Sequence, residues 1–208
     1  LKELEGTIRS RAGDILDDLP LNKTFDWVDR VSIELTTQML ATLFDFPYHD
    51  RRKLTRWSDV VFARLGEGII ESNEQRQNEL LECLEYFSKL WKDREKDPSG
   101  NDFISMMIRG DATRNLSPQE YLGNILLLIV GGNDTTRNSI SGGVLALNQN
   151  PHEYQKLREN SALIPNMVSE IIRWVTPLAH MRRTVTKDFE FRGQSMKAGE
   201  KVIMWYAS

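Results

Sequence analysis

Apolar residues recur every three or four positions through most of the chain, which is the spacing of one face of an α-helix. In the first segment this face is carried by Leu4, Ile8 and Ile15, and Pro20 ends the pattern. Farther along, prolines and glycines divide the same periodicity into separate helices. The predicted helices cover residues 2–19, 26–46, 50–65, 73–96, 102–109, 118–148, 151–159 and 163–175.

After Pro177 the helical spacing stops and short runs rich in β-branched and aromatic residues follow. These runs predict strands over residues 181–186, 189–192 and 202–206, with turns at Gly193 and over residues 198–200. A series of helices followed by a small sheet predicts a mainly α fold with a small β region, in the α+β class.

The longest predicted helix has a clear start, since Ser117, Pro118 and Glu120 form a capping box with proline at the first helical position. At 1.5 Å per residue, a helix from Ser117 to Asn148 is about 48 Å long. Its middle carries Gly131-Gly132-Asn133-Asp134-Thr135-Thr136. Two glycines inside a helix cost about 1 kcal/mol each relative to alanine, so some feature should require them.

Two interpretations of this hexapeptide remain open. Small residues share one face of the helix, and this trough could hold a flat ligand against the backbone. Thr135 can also bond back to the carbonyl of Gly131, a pattern that bends helices, and Asp134 adds an ionisable group. Alternatively, the glycines permit a close helix crossing and Asp134 faces solvent. The small-residue face consists of Gly131, Thr135, Ser139, Gly142 and Gly143.

Composition narrows the functional classes. A formal net charge of −3 gives no electrostatic reason to expect nucleic acid as a partner. The longest apolar run, residues 125–130, is too short to span a membrane, so we expect a cytoplasmic protein. Cys83 is the single cysteine and the three histidines are far apart, so no metal site is predicted within the chain. The chain starts with Leu1 and stops inside a predicted strand, so we expect a piece of a longer protein.

Glu170 and Arg173 lie one helical turn apart, close after the central helix. Taken alone, such a pair is an exposed ion pair worth a few tenths of a kcal/mol. Together with the hexapeptide and Arg183, however, its position along the chain resembles the order of motifs in the cytochrome P450 superfamily, the haem-thiolate monooxygenases. The resemblance covers the whole chain, and residues 131–139 and 178–184 are most similar to the soluble bacterial alkane hydroxylases.

The resemblance implies a partial cytochrome P450 fold. Residues 1–208 would form one domain, an internal part of the enzyme from about the D helix through the K helix and the strands that follow. The cofactor would be heme b in the full-length protein. Cys83 matches neither the position nor the context of the family's axial cysteine, which we therefore expect outside this chain. The piece itself is expected to be inactive.

Roles of individual residues also follow from the resemblance. Thr135 would hydrogen-bond bound oxygen and Asp134 would relay protons to it from solvent. His180 is assigned beside a haem propionate, with an exposed or packed imidazole as the alternative. The remaining assignments are an oxygen-binding notch at Gly131, Gly132 and Thr136, a propionate contact at Arg183, a substrate pocket lined by Leu127, Val130, Leu178 and Ala179, and a structural K-helix pair at Glu170 and Arg173.

The implied function is a haem-dependent monooxygenase that hydroxylates an apolar aliphatic substrate, such as an alkane or a fatty-acid chain. It would use O2 and two electrons from a ferredoxin and its ferredoxin reductase. The aliphatic side chains assigned to the pocket carry no hydrogen-bonding group that would orient a polar substrate. The alternative from another class is a non-enzymatic helical module that binds a partner or a ligand in the small-residue trough.

Overall fold

A computed structural model describes residues 2–206 and places them in helices joined by short loops, followed by short strands. Single 3-10 turns precede the first, third and eighth helices. A π-helical segment, Val28–Ile33, leads directly into the second helix. The α-helices are α1 Glu5–Asp17, α2 Glu34–Phe44, α3 Arg52–Phe62, α4 Asn73–Arg94, α5 Phe103–Arg109, α6 Pro118–Gln149, α7 Pro151–Glu159 and α8 Ile164–Val175.

All eight predicted helices are confirmed, and their bounds differ by a few residues. The predicted second helix, residues 26–46, is divided by the π-helical segment and ends earlier than expected. It ends because Asp45 adopts a left-handed conformation, with φ of 46°, which reverses the chain. The amide of Phe46 then donates to the carbonyl of Ala41 at 2.8 Å, as in a helix cap.

The described chain divides into two compact units, Leu1–Arg137 and Asn138–Ser208, with the boundary inside α6. The single domain expected over residues 1–208 stays a prediction. No helix within residues 2–206 combines the length and the apolar character needed to cross a bilayer.

The first unit has a closed aromatic core. Phe44 on α2, Trp57 on α3 and Phe87 on α4 are almost completely buried. The rings of Phe44 and Phe87 meet edge to face with centroids 5.1 Å apart, an arrangement that aromatic pairs favour. Ile125 and Ile129 on α6 complete this core and are also fully buried. Helix α6 is therefore held by one face against the helices that precede it.

The start of α6 follows the predicted capping box. The Ser117 amide donates to the Glu120 carboxylate at 2.9 Å, and the Glu120 amide donates to the Ser117 hydroxyl at 3.4 Å. From there, every fourth residue along one side is buried, whereas Gly123, Leu127 and Gly131 on another side are exposed. The buried stripe consists of Tyr121, Ile125, Ile129 and Asn133.

The second unit contains the end of α6, the helices α7 and α8, and two small antiparallel sheets. Strand β1 pairs with β4 so that His180 lies opposite Trp205. Strand β3 was not predicted, because Gln194-Ser195-Met196 carries no β-branched or aromatic residue. It pairs with β2 across a tight turn at Arg192 and Gly193, which have φ of 49° and 77°. The strands are β1 His180–Thr184, β2 Phe189–Phe191, β3 Gln194–Met196 and β4 Lys201–Trp205.

Candidate functional site

The two glycines in the middle of α6 occupy different environments. A Cβ atom added to Gly132 would lie 2.7 Å from Cδ2 of Leu40, which is buried on α2. A Cβ added to Gly131 would meet nothing within 4 Å. Gly132 therefore permits a close helix crossing, whereas Gly131 leaves open space on the other side of the helix. Their assigned role in oxygen binding stays a prediction.

Asp134 and Thr135 follow on the partly exposed side of α6. The Thr135 hydroxyl donates to the carbonyl of Gly131 at 3.4 Å, as the sequence predicted. This hydrogen bond is long, and a 3.4 Å contact is weaker than a typical hydroxyl bond. Helix α6 stays α-helical throughout this stretch. Thr136, the last residue of the motif, is exposed.

Arg137 joins the Asp134 carboxylate to α3. Its guanidinium forms an ion pair with Asp134 one turn earlier, and also contacts Oδ1 of Asp59 at 3.2 Å. The side chain of Arg137 is only 14% exposed, while the two carboxylates are each about twice as accessible. Because the charge pair is partly shielded from water, its attraction is stronger than that of a fully exposed pair. Asp134 thus lies beside a positive charge that Asp59 helps to hold in place.

A buried polar contact lies directly before Asp134. Asn133 has no exposed surface, and its Oδ1 accepts a hydrogen bond from the Thr36 hydroxyl of α2 at 2.9 Å. Four residues of the site were not predicted from the sequence: Thr36, Asp59, Asn133 and Arg137. Arg137 was detectable as a basic residue one turn after Asp134. The partners from α2 and α3 were not detectable in the sequence. Thr36 lies 97 residues before Asn133, and Asp59 lies 78 residues before Arg137.

The predicted substrate residues of the first unit lie on the open side of α6. Leu127 is 69% exposed, and Val130 is half-buried. An added Cβ at Gly123, one turn before Leu127, meets nothing within 4 Å, as at Gly131. We call this side of the helix, made of Gly123, Leu127 and Gly131, the open lane. Leu178 and Ala179 belong to the second unit, where both are exposed, and their place in a common pocket stays a prediction.

In the second unit, Glu170 and Arg173 form a two-point ion pair within α8. Arg173 Nε donates to Glu170 Oε2 at 2.7 Å, and Nη2 donates to Oε1 at 2.6 Å. This hydrogen bond and the positive charge lower the pKa of Glu170, and the same bond raises the pKa of Arg173. Both side chains are about 60% exposed, so the pair contributes little to stability by itself.

The two residues assigned to haem propionates lie on strand β1. The imidazole of His180 faces the indole of Trp205, with ring centroids 5.0 Å apart. The guanidinium of Arg183 is exposed, and its Nη1 donates to the backbone carbonyl of Arg182 at 3.0 Å. His180 is therefore an exposed imidazole beside an aromatic ring, as in the alternative above. Propionate binding by either residue stays a prediction.

The second half of the small-residue face is filled. A Cβ added to Gly142 would lie 2.5 Å from Cγ2 of Val175, and one added to Gly143 would lie 2.8 Å from Cδ1 of Ile171. Both partners are on α8. At these two positions the interpretation as an open ligand trough is wrong, and the interpretation as a close helix crossing is right. The trough that the non-enzymatic alternative needs is closed there.

Cys83 lies inside the core of the first unit with no exposed surface. Burial is the main cause that raises the pKa of its thiol, so the residue stays protonated and is a poor ligand or nucleophile. Within residues 2–206, no group of three or more His, Cys, Asp or Glu side chains is placed to hold a metal ion. The position of the axial cysteine outside this chain stays a prediction.

Comparison with known proteins identifies the family. The sequence model of the family described as Cytochrome P450 matches residues 11–208. The chain belongs to the cytochrome P450 family, and the predicted mainly helical α+β class and P450 fold are confirmed. The fold is also that of a solved structure, cytochrome P450-153 from Novosphingobium aromaticivorans, with a TM-score of 0.85 and 50% identity over 99% of this chain and 49% of that one.

Curated relatives are monooxygenases by name. The chain is 31% identical to linalool 8-monooxygenase of Pseudomonas putida, over 100% of this chain and 51% of that protein. It is 35% identical to steroid C26-monooxygenase of Mycolicibacterium smegmatis strain ATCC 700084 / mc(2)155, over 99% of this chain and 47% of that protein. The chain thus spans about half the length of the relatives it matches.

The family implies a haem iron cofactor for the full-length protein. The open lane on α6 fits such a group, because a flat ligand can approach the helix backbone where Gly123 and Gly131 add no side chain. Leu127 between them offers an exposed apolar contact. Arg183 is available as an exposed cation of the kind that binds carboxylates.

Proposed function

We propose that the full-length protein is a haem-dependent monooxygenase that hydroxylates an apolar aliphatic compound, an alkane or a fatty-acid chain, with O2 and two electrons. One observation carries the proposal. Asp134 and Thr135, a carboxylate and a hydroxyl, lie directly beside the open lane of α6. A haem bound there would supply the iron that binds oxygen and exchanges electrons. The protein's own residues would control protons, water and substrate.

Thr135 would hold a proton at its hydroxyl oxygen. It donates to the Gly131 carbonyl at 3.4 Å, which is a long and weak hydrogen bond. A hydroxyl can donate one hydrogen bond while it accepts another, so Thr135 can pass a proton without carrying a net charge. Gly131 leaves room for a small molecule next to this hydroxyl.

Asp134 would exchange protons with solvent. Its carboxylate is about 29% exposed, so water can reach it, and Arg137 holds it in place. Arg137 is in turn fixed by Asp59 on α3. A carboxylate that is both oriented and accessible is suited to general acid–base work, where positioned groups contribute about 10²–10⁴-fold in rate.

Leu127 and Val130 would exclude water and guide an apolar substrate, joined by Leu178 and Ala179 in the proposed pocket. Aliphatic side chains bind hydrocarbon through surface burial, at about 25 cal/mol per Å² of apolar area removed from water. The relatives' names, which include a linalool 8-monooxygenase, a steroid C26-monooxygenase and a methyl-branched lipid omega-hydroxylase, support an apolar substrate in general. The resemblance of residues 131–139 and 178–184 to the soluble bacterial alkane hydroxylases supports the alkane class in particular.

Electrons would come from a ferredoxin and a ferredoxin reductase. The support for these partners is the resemblance to the soluble bacterial members of the family. Reconstitution of the full-length protein with a ferredoxin system, compared with a flavodoxin system, tests this part of the proposal. Product formation that depends on the flavodoxin alone contradicts it.

The central experiment compares Thr135→Ala and Asp134→Asn in the full-length protein. We expect Thr135→Ala to keep the spectrum of the reduced carbon monoxide complex and to release much of its reducing equivalents as hydrogen peroxide. Asp134→Asn should slow turnover, because an amide cannot pass protons as a carboxylate does. The matched control is Thr42→Ala on α2, since the Thr42 hydroxyl donates to the carbonyl four residues earlier at 3.0 Å, as Thr135 does. Wild-type yield of product per reducing equivalent in Thr135→Ala contradicts the proton role.

A second experiment tests the substrate class. Binding of medium-length alkanes should shift the iron of the full-length protein from low to high spin, because an apolar ligand displaces water. Leu127→Asn should weaken the shift, since it places a polar amide on the open lane. Compact polar compounds of similar volume are the control. A stronger shift with the polar compounds than with the alkanes overturns the aliphatic assignment.

A further inference from the structure

Asn133 is a polar side chain that is completely buried. It has no exposed surface, and Ile129, one turn earlier on the same stripe of α6, is also fully buried. Its Oδ1 accepts from Thr36 at 2.9 Å, while its Nδ2 has no hydrogen-bond partner among residues 2–206. A buried amide with one hydrogen bond is costly relative to an apolar residue of the same shape. A role beyond filling space would explain why it is present.

The contact with Thr36 is one of two adjacent contacts between α6 and α2. Gly132 lies against Leu40, and Asn133 bonds to Thr36, which is one turn before Leu40 on α2. An apolar contact is not directional and allows a helix to rotate or slide. A hydrogen bond is directional, and a second contact one turn away removes the remaining freedom.

We propose that Asn133 and Thr36 are positioning residues that fix the rotation of α6, so that Asp134 and Thr135 face the open lane. The inference rests on the proposed function, because it concerns the same oxygen-activation site. Each residue of an α-helix is turned about 100° from the one before it. The direction set at Asn133 is therefore passed directly to Asp134 and Thr135.

A neighbouring threonine shows why Thr36 differs from an ordinary buried hydroxyl. Thr37 is equally buried, but its hydroxyl bonds to the Thr55 hydroxyl on α3 at 2.8 Å. Thr37→Val and Thr36→Val thus remove the same atom at the same depth from consecutive positions of α2. Thr36→Val removes the hydrogen bond to α6, whereas Thr37→Val removes the hydrogen bond to α3. Thr37→Val is therefore the matched control.

The two partners of the Asn133–Thr36 bond respond differently to substitution. If Asn133 is changed to Leu, the Thr36 hydroxyl still has the Ser32 carbonyl at 3.0 Å as an acceptor. If Thr36 is changed to Val, the Asn133 amide loses its hydrogen bond. Asn133→Leu therefore removes the directional contact without leaving a buried polar group behind, so positioning can be separated from stability.

The experiment measures product and hydrogen peroxide per reducing equivalent in the full-length enzyme with haem bound. We expect Asn133→Leu and Thr36→Val to lower product yield about tenfold, since small displacements of reacting groups can cost up to about a hundredfold. The carbon monoxide spectrum and the substrate-induced spin shift should stay as in the wild type. Thr36→Ser, which keeps the hydroxyl, should restore the yield, and Thr37→Val should not change it. If Thr36→Val loses haem, Thr36→Ala replaces it.

Thr135→Ala is measured in parallel to separate two kinds of failure. If Thr135→Ala releases peroxide but Asn133→Leu and Thr36→Val yield product as the wild type does, the positioning role is refuted and the proposed function stands. If Thr135→Ala itself stays fully coupled, the proton role fails and the positioning role falls with it. An equal loss in Thr36→Val and Thr37→Val would show a general packing effect, which also refutes the inference.

Discussion

The two units of the chain use similar amphipathic helices but bury them differently. In the first unit, the large side chains of Phe44, Trp57 and Phe87 are almost fully shielded from water. In the described part of the second unit, Val185 is the single buried apolar side chain, and residues such as Ile172 and Trp174 on α8 are more than half exposed. Hydrophobic periodicity thus tells which face of a helix is apolar, and tertiary packing decides whether that face is covered.

The largest expected difference between the units is in the cost of removing an aromatic ring. Phe87→Ala should destabilise the first unit by about 3–5 kcal/mol, because it leaves a cavity in a closed core. Trp174→Ala removes a ring that is 62% exposed and should change the free energy of unfolding by less than about 0.5 kcal/mol. Urea unfolding of the 208-residue chain, followed by circular dichroism, measures both. Equal losses for the two variants would contradict the comparison.

A smaller effect with opposite signs is expected at the adjacent glycines of α6. Gly132→Ala should destabilise the first unit by about 1–3 kcal/mol, because the new methyl group forces Cδ2 of Leu40 to shift within a buried core. Gly131→Ala should stabilise it by up to about 1 kcal/mol, because alanine favours the helix and the space is open. The urea concentrations at the midpoint of unfolding of the two variants and the wild type measure both effects. Stabilisation by both substitutions would show that Gly132 is not at a tight crossing, and destabilisation by both would show that Gly131 does not face open space.

Gly143→Ala extends this test to the second unit. Its new methyl group would meet Ile171 of α8 at 2.8 Å. Because Ile171 is only partly buried, it can give way more easily than Leu40. We expect a loss of about 1 kcal/mol, at the low end of the range for overpacking. Hydrogen exchange of the α8 backbone amides measures this loss, which should lower their protection. Unchanged protection would contradict the packing of α8 against Gly143.

The smallest effect concerns two arginine–glutamate pairs. A hydrogen bond from Arg56 lowers the pKa of Glu79, as Arg173 does for Glu170. A lowered pKa adds stability above the ordinary value near 4.5, and that stability is lost as the pH falls through the folded value. Glu79→Gln should cost about 0.5–1 kcal/mol at pH 7 and less near pH 3. Glu170→Gln, at an exposed pair, should show no measurable change. A loss at Glu79 that does not depend on pH would exclude the ion pair as its cause.

Local sequence signals predicted most of the secondary structure. The capping box at Ser117 and the prolines that end helices act within a few residues, so the sequence places α6 and the other helices correctly. The π-helical segment before α2 was not predicted, because its residues have the same apolar spacing as an α-helix. Strand β3 was also missed, since its pairing with β2 depends on the turn and not on its own residues.

The site was only partly predictable for a similar reason. The motif marked Asp134 and Thr135 because the spacing of glycine, carboxylate and hydroxyl is visible in one short stretch. The different environments of Gly131 and Gly132 depend on Leu40, which lies far away in the sequence. The link from Asp134 through Arg137 to Asp59 likewise spans 78 residues. Such contacts follow from how helices pack, and one sequence does not show them.

The π-helical segment Val28–Ile33 gives the protein a position that is sensitive to length. A π-helix holds more residues per turn than an α-helix, so removal of one residue can convert it to α-helix. The helix that follows would then be turned by about 100° relative to what precedes it. Thr36 and Leu40, which meet α6, come directly after this segment. In genetic terms, a one-codon deletion within residues 28–33 would disturb the crossing of α2 and α6 next to Asp134. No residue at that crossing would itself be mutated.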